Sequence, residues 1–240
     1  MTGSLLEPLL NTTRDQAISL LAGSLATTTT AYARWQLSKR LPARRTWRFS
    51  ISGRLIMVVS ASAHFHTGVY TRPTTGVGQV RAMSLLVPLL TRAYPGIDLE
   101  QVNLSSDTPG RDLEADLLTI GGPKTNEITA CLLPRIPQLP FRVDGTAIHW
   151  GDDTYEGLVQ DGHVTSDFGY VVRTVNPFAS DRRVVILGGS HTYGTIAAAR
   201  WLRTHGGARR LPADVAVLVQ ADVLQGRHVG IPRIVQHKPL

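Results

Sequence analysis

Two segments of this chain follow the same pattern: an unbroken apolar run, a Gly-Gly pair, a polar loop with threonine, and a helical stretch. The first reads DLLTIGGPKTNEITACLL (116–133) and the second reads RVVILGGSHTYGTIAAARWL (183–202). Short apolar runs are expected of strands buried on both faces of a parallel sheet, and glycine lets the backbone approach a ligand closely. Because the carboxyl ends of parallel strands lie at one edge of a sheet, we expect both turns to face one crevice.

The repeated unit predicts an α/β fold with a Rossmann-like, mainly parallel sheet of five or more strands and helices on both faces. Further strands are expected at 54–60, 99–104, 215–219 and 231–235, and a helix after the glycines at 76–78. Between the two diglycine segments, 141–150, 152–159 and 168–175 read as short strands joined by Gly-Asp and Asp-Gly turns. They predict a small antiparallel β insert near 141–175.

Charge and cysteine content narrow the functional classes. The net charge is +7, and residues 1–54 hold eight Lys or Arg against two acids, so the remainder is almost neutral. Nucleic-acid binding is therefore not expected, because that function needs basic residues spread over the domain. The single cysteine, Cys131, excludes an intrachain disulfide. Together with the absence of a secretory signal pattern, it favours a cytoplasmic protein.

Residues 1–46 are predicted to form an extra N-terminal helix and a basic linker, followed by a ligand-binding domain over 47–240. The stretch 17–33 carries no charge and has one apolar helical stripe, but it is short and rich in hydroxyl groups for a membrane span. We expect it to dock on the domain or a partner, with a span or a surface-lying helix as alternatives. Residues 14–48 are thus the predicted surface for a protein partner or a membrane. If the acid-free run 34–48 contacts neither, it is a solvated linker.

The glycine turns carry groups that suit an anion. A helix N-terminus offers free N–H groups and partial positive charge, and Gly194 is expected at the helix entry with its N–H aimed at the anion. Lys124 adds a positive charge, and Asn126 either recognises a ribose or base edge or caps its own helix. The predicted ligand-binding residues are Thr75, Gly76, Gly78, Gly121, Gly122, Lys124, Asn126, Gly188, Gly189, Ser190, His191, Gly194 and Thr195.

The second segment also resembles a known family. Gly188-Gly189, then Gly194-Thr195 opening a helix, resembles the glycine–threonine phosphate loop of the SLOG superfamily, which includes DprA-related and lysine-decarboxylase-like (LOG) proteins. The LOG loop reads P-G-G-x-G-T-x-x-E; here Leu187 replaces the proline, the spacer is four residues long, and Ala198 replaces the catalytic glutamate. The order of elements also resembles ligand-sensing members associated with bacterial defence. The resemblance implies a nucleotide or NAD-derived ligand, and the missing acid argues against hydrolysis.

Three functions remain as hypotheses. The first is a sensor or regulatory domain for a nucleotide-type ligand in a bacterial cell, with no required cofactor. The second is a hydrolase of a nucleoside phosphate or an NAD-like N-glycosidic bond, for which Asp167, Asp181 and Glu127 are candidate acids and no catalytic residue is assigned. The third is a membrane- or partner-tethered interaction protein with purely structural glycine turns. His64 and His66 have the spacing of a metal pair but no nearby cysteine or acid, so no metal site is predicted.

Overall fold

The structure is a computed structural model that describes residues 29–51, 53–61, 63–66, 68–97 and 102–240. The chain divides into two units, Met1–Pro42 and Ala43–Leu240. Residues 29–35 are helical and lead into a π-helix, Gln36–Arg40. Most of the uncharged stretch predicted as a docking helix lies outside the described residues, so that prediction stays a prediction. Among the described residues, no helix combines the length and apolar character that crossing a membrane requires.

The second unit alternates strands and helices. The α-helices are α1 (Leu41–Trp47), α2 (Val77–Ala93), α3 (Glu127–Leu132) and α4 (Thr192–His205), with 3₁₀ turns at Ser105–Asp107, Gly110–Glu114 and Leu133–Arg135. The strands are β1 (Leu55–Val59), β2 (Ala63–His66), β3 (Thr71–Thr74), β4 (Val102–Leu104), β5 (Asp116–Ile120), β6 (Phe141–Asp144), β7 (Ala147–Trp150), β8 (Asp153–Tyr155), β9 (Leu158–Gln160), β10 (His163–Asn176), β11 (Ala179–Gly189), β12 (Val215–Leu224), β13 (His228–Val229) and β14 (Arg233–Pro239).

One 9-stranded sheet organises this unit, in the order β13-β12-β10-β11-β5-β1-β4, with β14 beside β12 and β9 beside β10. Strands β4, β1, β5 and β11 run parallel, whereas β10 lies antiparallel between β11 and β12. The sheet is therefore mixed, and the prediction of a mainly parallel sheet is wrong. The reason is the short turn between Asn176 and Ala179, which can join only antiparallel neighbours because a parallel crossover needs a dozen or more residues.

The predicted β insert is smaller than 141–175. Strands β6, β7 and β8 form a separate antiparallel sheet, as expected for 141–155. In contrast, β10 is an interior strand of the main sheet, so assigning 168–175 to the insert is wrong. Between β1 and α2, strands β2 and β3 pair as an antiparallel hairpin.

Both faces of the main sheet are covered. Alternate residues of each strand enter two apolar clusters: Met57 and Val59 face the cluster that includes residues of α2 and α4, whereas Ile56 and Val58 face the other. The second cluster is completed by α3 and by the β6–β8 sheet. Burial on both faces explains why these strands read as continuous apolar runs.

The second unit begins at Ala43, before the predicted boundary at 46–47. Ala43 and Trp47 are buried, so the end of α1 belongs to the core and is not part of a linker. The guanidinium of Arg173 donates at 2.8 Å to the carbonyls of both Arg45 and Thr46. Burial, chiefly, lowers the pKa of Arg173 to about 10. Five backbone carbonyls, those two included, accept from this cation, as expected of a buried guanidinium.

Candidate ligand-binding site

The two diglycine turns lie side by side. Strands β5 and β11 are parallel neighbours, with Leu117 opposite Val184 and Ile120 opposite Leu187. The N–H of Gly121 donates to the carbonyl of Leu187 at 2.7 Å, which ties the first turn to the second strand. The prediction that both turns lie at the same edge of the sheet is thus confirmed, with the end of β1 beside them.

The first turn depends on the backbone freedom of Gly121. Its φ of +121° is rarely adopted by residues with a side chain, and a Cβ there would collide with Oγ of Ser60. The chain then turns through Gly122, whose carbonyl accepts from the N–H groups of Thr125 and Asn126 at 3.1 and 2.9 Å.

Asn126 ends this turn as the N-cap of α3. Its Oδ1 accepts from the N–H of Thr129 at 3.0 Å, and its Nδ2 donates to the carbonyl of Ile120 at 3.2 Å. The side chain is fully buried. Of the two roles that the sequence left open, the structure thus supports the cap.

The second turn is built differently, because Gly188 and Gly189 are the last residues of β11 and α4 already begins at Thr192. The N-cap residue His191 provides no side-chain cap. Asp167 of β10 provides it instead: its carboxylate accepts from the N–H of Gly194 at 2.5 Å and from that of His191 at 3.2 Å. The prediction that the Gly194 N–H is aimed at a bound anion is therefore wrong.

Glycines in this second segment allow α4 to lie against the sheet. A Cβ at Gly194 would lie well under 3.0 Å from the carbonyl oxygen of Phe168, and one at Gly189 would lie 2.6 Å from backbone atoms of Gly194 and Thr195. A Cβ at Gly188 would collide with the ring of Tyr170. Close packing, against backbone at Gly194 and against the Tyr170 ring at Gly188, explains these two glycines without any need for access to a ligand.

A cavity of about 240 Å³ opens between the turns and the N-termini of α2 and α4. Seven of the predicted ligand-binding residues line it: Gly76, Gly122, Lys124, Gly189, Ser190, His191 and Thr195. The predicted residues Thr75, Gly78, Gly121, Asn126, Gly188 and Gly194 do not line it. The lining residues that sequence reasoning missed are Gln79, Pro123, Thr125, Val143, Gly145 and Thr192.

Two residues that line the cavity each carry a buried polar atom with no hydrogen-bond partner within the described part of the chain. The two atoms are Oγ of Ser190 and Oε1 of Gln79, in side chains only 7% and 8% exposed. Buried polar atoms are nearly always paired in folded proteins, because an unmet one costs about 1–3 kcal/mol. Their residues are therefore candidate partners for the polar groups of a ligand. The Oγ1 of Thr75, next to the N-cap of α2, is buried and unpaired as well.

Gly78 brings the N-termini of α2 and α4 together. A Cβ at Gly78 would collide with Oγ1 of Thr192, so no other residue permits this approach. Gly76 is the N-cap of α2 and offers no side-chain acceptor to the first turn. The two glycines of the 75–79 segment thus have different roles. Gly78 lets the two helix ends pack closely, whereas Gly76 lines the cavity.

Asp167 and His191 form a pair at the cavity wall. The Nδ1 of His191 lies 3.3 Å from Oδ1 of Asp167, and the imidazole is partly exposed to the cavity. Burial raises the pKa of Asp167 above its usual range, and hydrogen bonds from Gly194 and the contact with His191 oppose the shift. This carboxylate is one of the three candidate acids. The other two are exposed: Glu127 does not line the cavity, and Asp181 pairs with Arg182.

The described residues contain no group of three or more His, Cys, Asp or Glu side chains that is arranged to hold a metal ion. His66, half of the candidate metal pair, has its Nδ1 2.7 Å from the hydroxyl of Thr71 on the neighbouring strand. This contact gives His66 a structural partner within the β2–β3 hairpin.

Comparison with known proteins leaves the family open. No protein-family model and no curated protein matches this chain. The resemblance of the 188–195 segment to the SLOG phosphate loop therefore stays a prediction.

Proposed function

We propose that this protein binds a small nucleotide-type ligand in the cavity between its two diglycine turns and acts as a sensor or regulatory domain. The observation that carries the proposal is that two residues lining the cavity each hold a buried polar atom, Ser190 Oγ and Gln79 Oε1, with no partner among the described residues. A hydroxyl donates or accepts and an amide oxygen accepts, so together they suit a ligand with both kinds of polar group.

The location of the cavity supports the same proposal. Ligands of open α/β sheets bind in the crevice outside the carboxyl ends of parallel strands, where helix N-termini meet. Here β5 and β11 supply those ends, and Lys124 supplies a positive charge at the rim. Phosphate groups bind at such places because backbone N–H groups and the helix dipole favour negative charge.

A screen by thermal shift tests the proposal. We expect at least one ligand among nucleoside monophosphates, dinucleotides, NAD and ADP-ribose to raise the melting temperature in a concentration-dependent way. Ser190→Ala, which removes the unpartnered hydroxyl, should abolish the shift, whereas Ser84→Ala on the exposed side of α2 should leave it unchanged. Absence of any shift across the panel, or equal shifts in both variants, would contradict the proposal.

Hydrolysis of such a ligand is the second candidate, and one contact favours it. The imidazole of His191 lines the cavity and is held by the buried Asp167, as a general base is held in many hydrolases. Chromatography of the bound ligand after incubation separates the two functions. Intact ligand supports the sensor, and products that disappear in His191→Gln support the hydrolase.

A further inference from the structure

The two long helices that border the cavity differ in how their N-termini are neutralised. At the N-terminus of α4, the carboxylate of Asp167 accepts from the N–H groups of His191 and Gly194. A carboxylate in this position already supplies the negative charge that the helix dipole favours. A ligand anion at the start of α4 would therefore meet a like charge.

The N-terminus of α2 carries no such carboxylate. Its N-cap is Gly76, and no acidic residue lies in its first turn. The N–H groups of Val77 and Gly78 begin the helix, where the backbone has no intrahelical acceptor to use. Gly76 also lines the cavity, so this helix end opens onto the ligand space.

The groups around this helix end match an anion that also carries a donor. Lys124 lies on the cavity wall, and it forms no ion pair within the residues that the structure describes. Gln79, in the first turn of α2, has its buried Oε1 without a donor. The lysine and the helix N–H groups require negative charge, whereas the amide oxygen requires a hydroxyl or N–H group.

We propose that the ligand carries a single phosphate at the N-terminus of α2, beside Lys124, and a hydroxyl or N–H group that donates to Gln79. Its uncharged part extends along Ser190 toward Asp167 and His191. The ligand class is thus a nucleoside monophosphate, and pyrophosphate-containing dinucleotides are excluded. This inference rests on the proposed function.

The size of the cavity agrees with a small ligand. Its volume of about 240 Å³ lies below the range of about 300–1,000 Å³ that is typical of drug-sized ligand pockets. A mononucleotide with part of its surface in solvent fits this space, whereas a dinucleotide would have to leave half its length outside. A second phosphate would also have to lie closer to the Asp167 carboxylate.

Calorimetric titration with chosen probes tests the inference. The probes are AMP, GMP, CMP and UMP, their nucleosides, their diphosphates, NAD and inorganic phosphate. We expect one monophosphate to bind at least tenfold more tightly than its nucleoside, and its diphosphate to bind no more tightly than the monophosphate. A diphosphate or NAD that binds tenfold more tightly than any monophosphate would overturn the inference and leave the proposed function standing. If none of the probes binds, both the inference and the proposed function are wrong.

Two variants locate the phosphate. Lys124→Met should weaken monophosphate binding about tenfold and leave nucleoside binding unchanged, whereas Lys238→Met on exposed β14 should change neither. Because Lys124 is exposed, its replacement leaves the core intact. Equal monophosphate affinity in Lys124→Met and the wild type would overturn the inference.

Asp167→Asn tests why a second phosphate is excluded. The asparagine keeps an acceptor for the Gly194 N–H and removes the charge, so the ratio of diphosphate to monophosphate affinity should rise about tenfold. A melting curve establishes that the variant is folded. An unchanged ratio in the folded variant overturns the role of Asp167, and if the variant does not fold, the titration of Lys124→Met still decides the position of the phosphate.

Discussion

The turn after β5 and the turn after β11 both contain adjacent glycines, but they lead the chain into their helices by different routes. After β5, Gly121 bends the backbone with a φ of +121°, and Asn126 caps the short α3 from within the turn. After β11, both glycines remain in the strand, and α4 is capped by Asp167 from the neighbouring strand.

Glycine therefore has different physical roles in the two turns. Gly121 is required for its backbone angle, whereas Gly188 and Gly194 are required because other atoms occupy the place of a side chain. Between these positions, Gly122 and Gly189 line the cavity. The comparison therefore separates glycines that the backbone geometry or packing requires from glycines that line the cavity.

The largest effect should come from Gly194→Ala. Alanine is favoured over glycine within a helix by about 1 kcal/mol, but here its Cβ would collide with the backbone carbonyl of Phe168. We expect the variant to lose about 3 kcal/mol of unfolding free energy in urea, since overpacking against backbone relaxes poorly. Gly122→Ala is the matched control, because its Cβ has no neighbour closer than 3.7 Å and its stability should stay within about 0.5 kcal/mol of the wild type. A stabilised Gly194→Ala would show that the helix does not pack this closely.

Gly121→Ala should have the next largest effect, a loss of about 2 kcal/mol. It combines an unfavourable backbone angle with the collision at Ser60 Oγ. Gly162→Ala isolates the backbone part, because Gly162 has a φ of +75° and nothing within 4 Å of its Cβ position. Chemical unfolding of the two variants should place Gly121→Ala clearly below Gly162→Ala. Equal losses would mean that Ser60 moves away freely.

The two caps should differ in strength. Asp167→Ala leaves the N–H groups of Phe168, His191 and Gly194 without their acceptor, so we expect a loss of about 2 kcal/mol. Asn126→Ala removes the acceptor of the Thr129 N–H and the donor to the Ile120 carbonyl, with an expected loss of about 1 kcal/mol. Denaturant midpoints at neutral pH measure both. The reverse order would indicate that α4 does not depend on the distant carboxylate.

The caps should also differ in their pH dependence, which we expect to be the smallest of these effects. Burial raises the pKa of Asp167 above its ordinary value of 3.8. The folded protein thus keeps this proton to a higher pH than the unfolded chain does. Between these two pKa values the folded state binds more protons, so this group makes stability fall as pH rises.

Urea unfolding at several pH values from about 4 to 7 measures this effect. The stability of the wild type relative to Asp167→Asn should decline as pH rises through the window, because contributions of other groups cancel in the difference. The stability of the wild type relative to Asn126→Ala should not change with pH over the same window. A flat profile for both would mean that Asp167 titrates alike in the folded and unfolded states.

Much of the fold follows from local pattern. The apolar runs before each Gly-Gly pair predict β5 and β11, and the shared edge follows from parallel pairing. The antiparallel strands of the sheet were not predicted, because 168–175 was assigned to the small β insert. A Pro within a short polar turn between two apolar runs is also a hairpin signal, and it makes β10 and β11 antiparallel.

The site was only partly predictable because its decisive contacts join distant residues. The carboxylate of Asp167 accepts from the N–H of Gly194, 27 residues further along the chain, and no local rule connects the two. Gln79 was missed because uncharged amides carry no site pattern, although its place three residues after the N-cap Gly76 is a usable signal. The prediction of Asn126 as a cap was available from its position, and the structure bears out that alternative.

The most direct test of the account is a crystal structure with the tightest-binding nucleoside monophosphate from the titration. We expect the phosphate to lie at the first turn of α2, within hydrogen-bond distance of a backbone N–H of that turn and of Lys124 Nζ. Ser190 Oγ and Gln79 Oε1 should each gain a partner from the ligand. A phosphate at the start of α4 beside Thr192, or a nucleotide bound outside the cavity between the two turns, would contradict it.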